Sequence, residues 1–325
     1  MTTAARDLAA LHPDARLASS RRKIRAPFVL DDSMRFYSPQ ANVDALTHPR
    51  VAPWLDYVRD EWTPAPVDGA DSRIALLVPC TKYKPYCTSR EHRAINAALL
   101  AAGWRPSAPY DGPPELLDAL DPGESGDLLA TAPLVRDGVA LDRIVMSEPL
   151  GLVPYEHTML APAALGGGQS PATSYDDPGL FEARGTSVSP ERDDCTAVRR
   201  ADGSWAWGAN ERAALARMVR EMSGTVAATL DRLDGTWTAV LGWVSPGLTH
   251  KMFLEAIPGR TEPLPTRAWT EEARADLAAR LAAEGRSAGP RAVAAVYARG
   301  DGHDTPLGLP ELTSRLVARI DELTR

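Results

Sequence analysis

The segment from Pro79 to His92 is rich in side chains that can take part in chemistry. A thiol, two amines, a phenol, a hydroxyl and an imidazole occur there, in Cys80, Lys82, Lys84, Tyr86, Ser89 and His92. An apolar run at 74–78 precedes the segment, and a predicted helix begins near Ser89. Ligands of α/β domains bind where strands end, and the N-terminus of the following helix favours anions. The segment therefore predicts a site rather than a plain connection.

Cys80 is the best nucleophile candidate of this segment. Positive charge from Lys82, Lys84 and His92 and the dipole of the following helix favour a thiolate over a thiol. A thiolate in that setting can attack an electrophilic carbon such as a carbonyl, an amidine or a nitrile. The alternative is a small apolar cysteine packed at the end of a buried strand. For Cys87 we expect ordinary packing.

Two further residues are candidates for proton transfer or ligand binding. His92 is expected in the first turn of the helix, as a general acid or base or as a hydrogen-bonding group. Glu148 follows a second predicted strand, within Ser147–Pro154, and can accept hydrogen bonds from an amine or a purine-like edge. It can equally form a structural ion pair with Lys84. Gly151 in the same segment permits a close backbone approach.

Metal and cofactor chemistry is not favoured by the motifs. Cys80, Cys87, His92 and Cys195 could supply four zinc ligands, but the chain has no Cys-x-x-Cys pair. It also has no Walker loop, no Gly-x-Gly-x-x-Gly and no Gly-x-Ser-x-Gly elbow. We therefore expect neither a metal nor a cofactor.

The elements that must position these residues indicate an α/β fold. Strands are predicted at 74–78, 141–146 and 237–244, and each ends in a polar loop. Such units predict a mostly parallel sheet sandwiched by helices, with a helical C-terminal extension and the loops on one rim. His250 and Lys251 follow the third strand and either complete that rim or are simply exposed. The long loop 166–194 is of a length that is usually functional.

Finer expectations concern the ends of elements and the division of the chain. Thr88 and Glu91 fit a capping box at the helix start, and 292–298 fits a short strand. We expect a partly flexible N-terminal arm over 1–40, an α/β core over 41–256 and a helical region over 257–325. Arg21, Arg22, Lys23 and Arg25 give the arm a basic cluster.

Charge and cysteine usage limit the partners and the compartment. The chain has 325 residues and a net charge of -7, which argues against broad binding to a phosphate backbone. No run is apolar enough to span a bilayer, no secretory signal is visible and the three cysteines are odd in number. We expect a cytoplasmic protein without a membrane partner.

The spacing within 79–92 resembles the signature of the archaeosine synthase family, Pro-Cys-x3-Lys-Pro-Tyr-x2-Ser-x2-His. Its specified positions are filled by Pro79, Cys80, Lys84, Pro85, Tyr86, Ser89 and His92. A His-Pro-x-Val element at 48–51 and the Ser-Glu-Pro-Leu-Gly-x-Val-Pro segment at 147–154 add to the resemblance, which covers roughly residues 42–180. An RNA-binding PUA module, common in that family, is not evident here.

The resemblance implies chemistry on the nitrile of 7-cyano-7-deazaguanine in tRNA, with an amine added to form an amidine. Cys80 would attack the nitrile carbon, and Lys84 or His92 would protonate the nitrogen. Glu148 would orient the base or the amine, which could be lysine or glutamine-derived ammonia. For substrate binding the resemblance suggests Tyr86, Ser89, Pro85, Ser147 and Gly151.

Two alternatives to this reading stay open at the level of sequence. The same chemistry could act on a free deazapurine base or nucleoside in the biosynthesis of a metabolite. The net charge of -7 and the missing RNA-binding module favour this substrate over tRNA. The other alternative is a non-catalytic module that binds nucleotides or nucleic acid. A binding module needs neither the thiol nor the histidine, so their presence argues against it.

Overall fold

A seven-stranded, mostly parallel sheet forms the centre of the described chain. The computed structural model describes residues 13–180, 187–246, 248–303 and 305–325. In chain order the strands are β1 (Ser72–Pro79), β2 (Arg105–Pro106), β3 (Leu134–Arg136), β4 (Val139–Ser147), β5 (Gly151–Pro154), β6 (Val198–Arg199), β7 (Trp205–Ala206), β8 (Ala239–Trp243) and β9 (Glu262–Leu264). The sheet has the order β2-β3-β4-β1-β8-β9, β5 pairs with β4, and β6 and β7 form a separate hairpin.

The centre of the sheet is parallel and fully buried. β1 pairs in parallel with β4 on one side and with β8 on the other, and β8 pairs in parallel with β9. Every residue of β4 is buried, as are the last six of β1. Strands that are buried along most of their length are typical of parallel sheets covered on both faces. Because β1, β4 and β8 run in one direction, their carboxyl ends lie at the same edge of the sheet.

Two groups of helices surround the sheet. In chain order the helices are α1 (Pro13–Arg21), α2 (Pro39–Ala45), α3 (Ala52–Asp60), α4 (Arg90–Ala101), α5 (Ala209–Arg232), α6 (Thr249–Glu255), α7 (Arg267–Ala283), α8 (Pro290–Ala298) and α9 (Pro310–Leu323). The long helix α5 contacts α2, α3 and α6, whereas α9 contacts α4 and α7, and α8 packs on α7. Among the described residues, no helix is both long and apolar enough to cross a membrane.

The α/β class, the mostly parallel sheet and the helical C-terminal region are confirmed. The antiparallel strands β2, β3 and β5 were not predicted, since they are two to four residues long and carry little periodic signal. The strand predicted at 292–298 is wrong, because these residues belong to helix α8, which has Pro290 in its first turn. A short apolar run does not distinguish the two elements.

The predicted capping box of Thr88 and Glu91 is also wrong. Ser89 is the N-cap of α4, and its hydroxyl accepts a hydrogen bond from the backbone N–H of His92. Thr88 instead donates its hydroxyl to the Pro85 carbonyl. Glu91 accepts hydrogen bonds from the backbone and side chain of Thr305, which ties α4 to the C-terminal region.

The predicted N-terminal arm packs on the core over its described part, while residues 1–12 lie outside the described residues. Arg16 is buried and donates to the Val188 carbonyl at 2.7 Å. Within the predicted basic cluster, Lys23 forms an ion pair with Asp176 at 2.8 Å, whereas Arg21 and Arg22 are exposed. A single continuous set of buried apolar side chains extends from Ile24 to Ile320. The segments before and after the central region therefore share its core.

Candidate active site

A small cavity opens where β1, β4 and β8 end. The backbone N–H of Cys80 donates to the Met146 carbonyl at 2.8 Å, which continues the β1–β4 pairing one residue past β1. The cavity volume is about 170 Å³. Its lining includes Cys80, Glu148, Asp177, Thr249, His250 and Thr305. The three predicted strand-end loops therefore do meet, and the 166–194 loop and the C-terminal region complete the wall.

Cys80, Glu148 and His250 form the chemical centre of this cavity. One ligand-type atom from each of the three lies within 4.8 Å of the other two. His250 Nε2 and Glu148 Oε2 are 3.2 Å apart and form an ion pair when the imidazole is protonated. Both side chains are buried, at 6% and 2% exposure, whereas Cys80 is half-buried. A thiol, an imidazole and a carboxylate in this order are the parts of an activated sulfur nucleophile.

The electrostatics of the pair favour its charged form. Burial alone would lower the pKa of His250, but the negative charges of Glu148 and then Cys80 raise it well above its ordinary value. Burial alone would raise the pKa of Glu148, but the charge of His250 and its hydrogen bond lower it. The cavity thus holds an imidazolium beside Cys80, and this imidazolium can give a proton to a neighbouring atom.

Asp177 adds a second carboxyl group with the opposite electrostatics. Burial, together with the charge of Glu148, raises the pKa of Asp177 to about 8. Near neutral pH this side chain is therefore mainly a neutral acid, while Glu148 is a carboxylate. Two carboxyl groups whose pKa values are pushed apart are typical of sites that need both an acid and a base. Asp177 Oδ1 also accepts a hydrogen bond from the Gly179 N–H at 2.6 Å.

Lys84 lies next to the cavity, although it is not part of the lining. Its Nζ is 4.2 Å from the ring centre of Tyr175 and 5.8 Å from that of Tyr86. The side chain is fully buried, and burial lowers its pKa even though the negative charges of Asp176 and Cys80 oppose this. Lys84 is thus a desolvated amine beside the cavity, and no ion pair with Glu148 is found among the described residues.

His92 does not line the cavity. Its Nε2 is 2.9 Å from the Pro79 carbonyl oxygen, which can only accept, so Nε2 donates. Nδ1 then accepts from the Tyr155 hydroxyl at 2.8 Å in a neutral ring, and the two rings stack at 13°. The imidazole therefore holds the backbone immediately before Cys80. This geometry assigns it a positioning role, and the histidine at the cavity is His250.

Tyr86 and Ser147 are bound to each other rather than turned toward a ligand. The Tyr86 hydroxyl donates to Ser147 Oγ at 3.2 Å and is 2.8 Å from the Tyr175 hydroxyl. The Ser147 and Tyr175 hydroxyls are also hydrogen-bonded to each other. All three residues are buried. This hydroxyl cluster joins Tyr86, in the segment after β1, to the end of β4 and to the 166–194 loop.

The other predicted binding residues lie in turns that shape the site. Ser89 caps α4, and Pro85 is buried just before it. Gly151 has φ +68° at the start of β5, and a Cβ there would lie 3.4 Å from the side chains of Leu55 and Thr225. It is a glycine because of its backbone conformation and its close packing. None of these three residues is part of the cavity lining described above.

Sequence reasoning named His250 only as one option for the rim and missed Asp177 and Tyr175. The signal for both missed residues was the long loop, which places Tyr175 in the hydroxyl cluster and Asp177 in the cavity wall. Residues 181–186 of that loop lie outside the described residues. These partners are far from Cys80 along the chain. Asp177 follows it by 97 positions and His250 by 170, and nothing in the local sequence pattern joins them to Cys80.

The ligand set suited to a metal also differs from the one weighed in the sequence. Among the described residues, Cys80, Glu148 and His250 form the group close enough to hold one ion. Cys87 is fully buried, and burial raises the pKa of its thiol to about 12, which suits packing.

Comparisons of the chain with protein-family models, with curated proteins and with solved structures give no match. The site must therefore be interpreted from its own geometry.

Proposed function

We propose that the protein is an enzyme that adds an amine to the nitrile of 7-cyano-7-deazaguanine and forms an amidine. The observation that carries this proposal is the grouping of Cys80, His250 and Glu148 within 4.8 Å at a small cavity. The resemblance of 79–92 to archaeosine synthase supports the choice of substrate. A nitrile is a weak electrophile, so a thiolate and a nearby proton donor are both needed.

In the first step, the thiolate of Cys80 attacks the nitrile carbon. A C–S bond forms, one π bond of the nitrile breaks, and its electron pair moves to nitrogen. The His250 imidazolium gives its proton to that nitrogen, which leaves a thioimidate and a neutral imidazole. The raised pKa of His250 supports this role, since the proton is present before the attack.

In the second step, the amine attacks the thioimidate carbon. A C–N bond forms, the C–S bond breaks, and its electrons return to Cys80 as a thiolate. The proton that the amine loses returns to His250, which is again held as an imidazolium by Glu148. The sum is nitrile plus amine giving amidine, with the protein restored. No oxidant, reductant or cofactor enters the balance.

Surrounding residues are assigned supporting roles in this proposal. Asp177, as a neutral acid, donates a hydrogen bond to a substrate nitrogen. Lys84 contributes a desolvated amine close to Cys80, which can accept or give a proton because burial lowers its pKa. His92 holds the Pro79 carbonyl and so the backbone that carries Cys80.

The size of the cavity limits what can enter. A volume of about 170 Å³ is below the roughly 300–1,000 Å³ of pockets for drug-sized ligands. It suits a single heteroaromatic base or the reacting end of a larger substrate. We propose the base within tRNA or another nucleic acid as substrate, as the resemblance implies. The free deazapurine or its nucleoside is the second candidate, favoured by the net charge of -7.

Intact-protein mass spectrometry tests the proposal. The full chain is incubated with 7-cyano-7-deazaguanine, free or within RNA, without added amine. We expect a covalent adduct of the mass of the base on the wild type and on Cys195→Ser, and none on Cys80→Ala. Cys195 is a matched control because it is a half-buried thiol that does not line the cavity. The form of substrate that reacts identifies the substrate class.

Two outcomes would contradict the proposal. An adduct that persists in Cys80→Ala would place the nucleophile elsewhere. If neither form of the base labels the folded wild type, the covalent route is wrong. Release of the adduct as an amidine on addition of lysine or ammonia then tests the second step separately.

A further inference from the structure

We propose that Cys80, Glu148 and His250 form a binding site for one thiophilic divalent cation, represented by Zn²⁺, and that the bound ion blocks Cys80. This inference concerns inhibition of the thiol and does not depend on which substrate the cavity takes. The three residues come from three separate strand-end segments, so the fold itself brings them together.

The ligand types select the ion. Thiolate and imidazole ligands favour zinc and similar soft ions over Mg²⁺ and Ca²⁺, which prefer oxygen. One cysteine, one histidine and one carboxylate are three zinc ligands, and zinc sites with three protein ligands keep a fourth position for water. At this site that position would be provided by the cavity.

The spacing is close to what a tetrahedral ion needs. Zinc lies about 2.3 Å from sulfur and about 2.0–2.2 Å from nitrogen or oxygen, so its ligands are about 3.3–3.6 Å apart. His250 Nε2 and Glu148 Oε2 already lie 3.2 Å apart. The sulfur of Cys80 lies within 4.8 Å of one ligand atom of each of these two residues. Because Cys80 is half-buried in a loop, a rotation of its side chain can provide the remaining ångström.

The two buried ligands also have unused binding capacity. Among the described residues, Glu148 Oε1 and His250 Nδ1 have no hydrogen-bond partner, although both side chains are more than nine-tenths buried. Buried polar atoms without partners are rare and call for a ligand or water. Lys84 provides no ligand, since its Nζ lies over the Tyr175 ring.

Binding of the ion and nucleophilic attack exclude each other at this site. The ion takes the lone pair of Cys80 that would attack a carbon, and it takes the place of the proton between His250 and Glu148. A chelator that removes the ion returns both groups to their original state. The site therefore makes Cys80 sensitive to free zinc.

Thiol labelling of the wild-type full chain tests the proposal without any variant. Metal-free protein is treated with iodoacetamide, with or without one equivalent of Zn²⁺, and each cysteine is followed by peptide mass spectrometry. We expect Zn²⁺ to slow labelling of Cys80 by about tenfold or more, to leave Cys195 unchanged, and EDTA to reverse the effect. Equal labelling of Cys80 at saturating Zn²⁺ would overturn the proposal.

Cobalt provides a spectroscopic test of the ligands. We expect Co²⁺ to give a sulfur-to-cobalt charge-transfer band in the wild type and in Cys195→Ser, and the band to be absent in Cys80→Ser. His250→Gln should weaken Zn²⁺ binding by at least about tenfold, with folding checked by circular dichroism. A band that persists in Cys80→Ser would assign the metal to another thiol. Because neither readout is an activity, loss of this proposal and loss of the proposed reaction are distinguishable.

Discussion

The segment from Pro79 to His92 serves two regions of the molecule that differ in kind. Cys80 enters the cavity, where its neighbours are Glu148 and His250 from other strand ends. Tyr86 and His92 enter an adjacent buried layer in which their polar atoms bond to other protein groups. These polar atoms of the buried layer have hydrogen bonds, whereas the cavity has buried polar atoms with no partner in the part of the chain that the structure describes. The contrast teaches that one motif can hold both a reactive group and the frame that positions it.

Substitution of the two histidines is the strongest test of the difference between the cavity and the buried layer. We expect His250→Asn to slow adduct formation by roughly 10²–10⁴-fold, the usual worth of a positioned acid or base, in addition to a loss of stability from the buried Glu148 that it leaves without a charged partner. His92→Asn should lower the free energy of unfolding by roughly 1–3 kcal/mol, because buried partners lose their hydrogen bonds. Adduct rates and urea unfolding of both variants measure this. If His92→Asn kept full stability and lost the rate, the assignment of roles would be reversed.

The ion pair of the cavity predicts a pH dependence. The raised pKa of His250 stabilises the fold in full below its ordinary value of 6.5 and loses this as pH rises through the folded-state pKa. The lowered pKa of Glu148 stabilises the fold above 4.5 and loses this as pH falls. The loss of stability in Glu148→Gln should therefore be largest between pH 4.5 and 6.5.

Urea unfolding across pH measures this loss, and NMR titration should show a lower pKa for His250 in the variant. Cys80 and Asp177 also face the pair and remain in both proteins. Glu115→Gln, at an exposed position, is the control and should change neither quantity. A loss of stability that is constant from pH 4 to 9 would mean that the pair is not charged.

The sequence predicted the buried layer and the cavity to different extents. Strands β1, β4 and β8 were predicted from the sequence, and their parallel pairing placed Cys80 and Glu148 at one edge. His250 was within reach of the same argument, because it follows the third strand. Asp177 was not, since it belongs to a long irregular loop whose path depends on packing against the rim.

The role of His92 could not be read from its position for a similar reason. A histidine in the first turn of a helix can face a ligand or pack into the buried layer. The choice depends on Tyr155, which is 63 positions away and whose hydroxyl is hydrogen-bonded to the His92 ring. Spacing therefore identifies which residues belong together, whereas the partners across the fold decide what each one does.

The neighbouring acids Asp176 and Asp177 provide a finer test of this difference. Replacing each of them by asparagine should change Tm at pH 8 in opposite directions. The pKa of Asp177 is raised to about 8, so the folded state keeps a proton that the unfolded chain has lost above about 4, and stability falls with rising pH. Asp177→Asn should therefore raise Tm by several degrees at pH 8 and hardly at all at pH 4. In Asp176 the charge of Lys23 outweighs burial and lowers the pKa, so Asp176→Asn should lower Tm at pH 8. Changes in Tm of the same sign for the two variants at pH 8 would show that the environments of the two carboxyl groups are alike.

Substitution of Gly151 has the smallest expected effect. It tests whether a residue that shapes the surrounding structure can be changed without affecting the rate of adduct formation. Alanine at φ +68° costs about 1–2 kcal/mol of stability. Gly166, at φ +84° with open space around its Cβ position, should lose a similar amount on change to alanine. Any excess loss in Gly151→Ala measures the close contact with Leu55 and Thr225. The rate of adduct formation should stay unchanged in both variants. A rate that falls only in Gly151→Ala would instead support the predicted role of Gly151 in substrate binding.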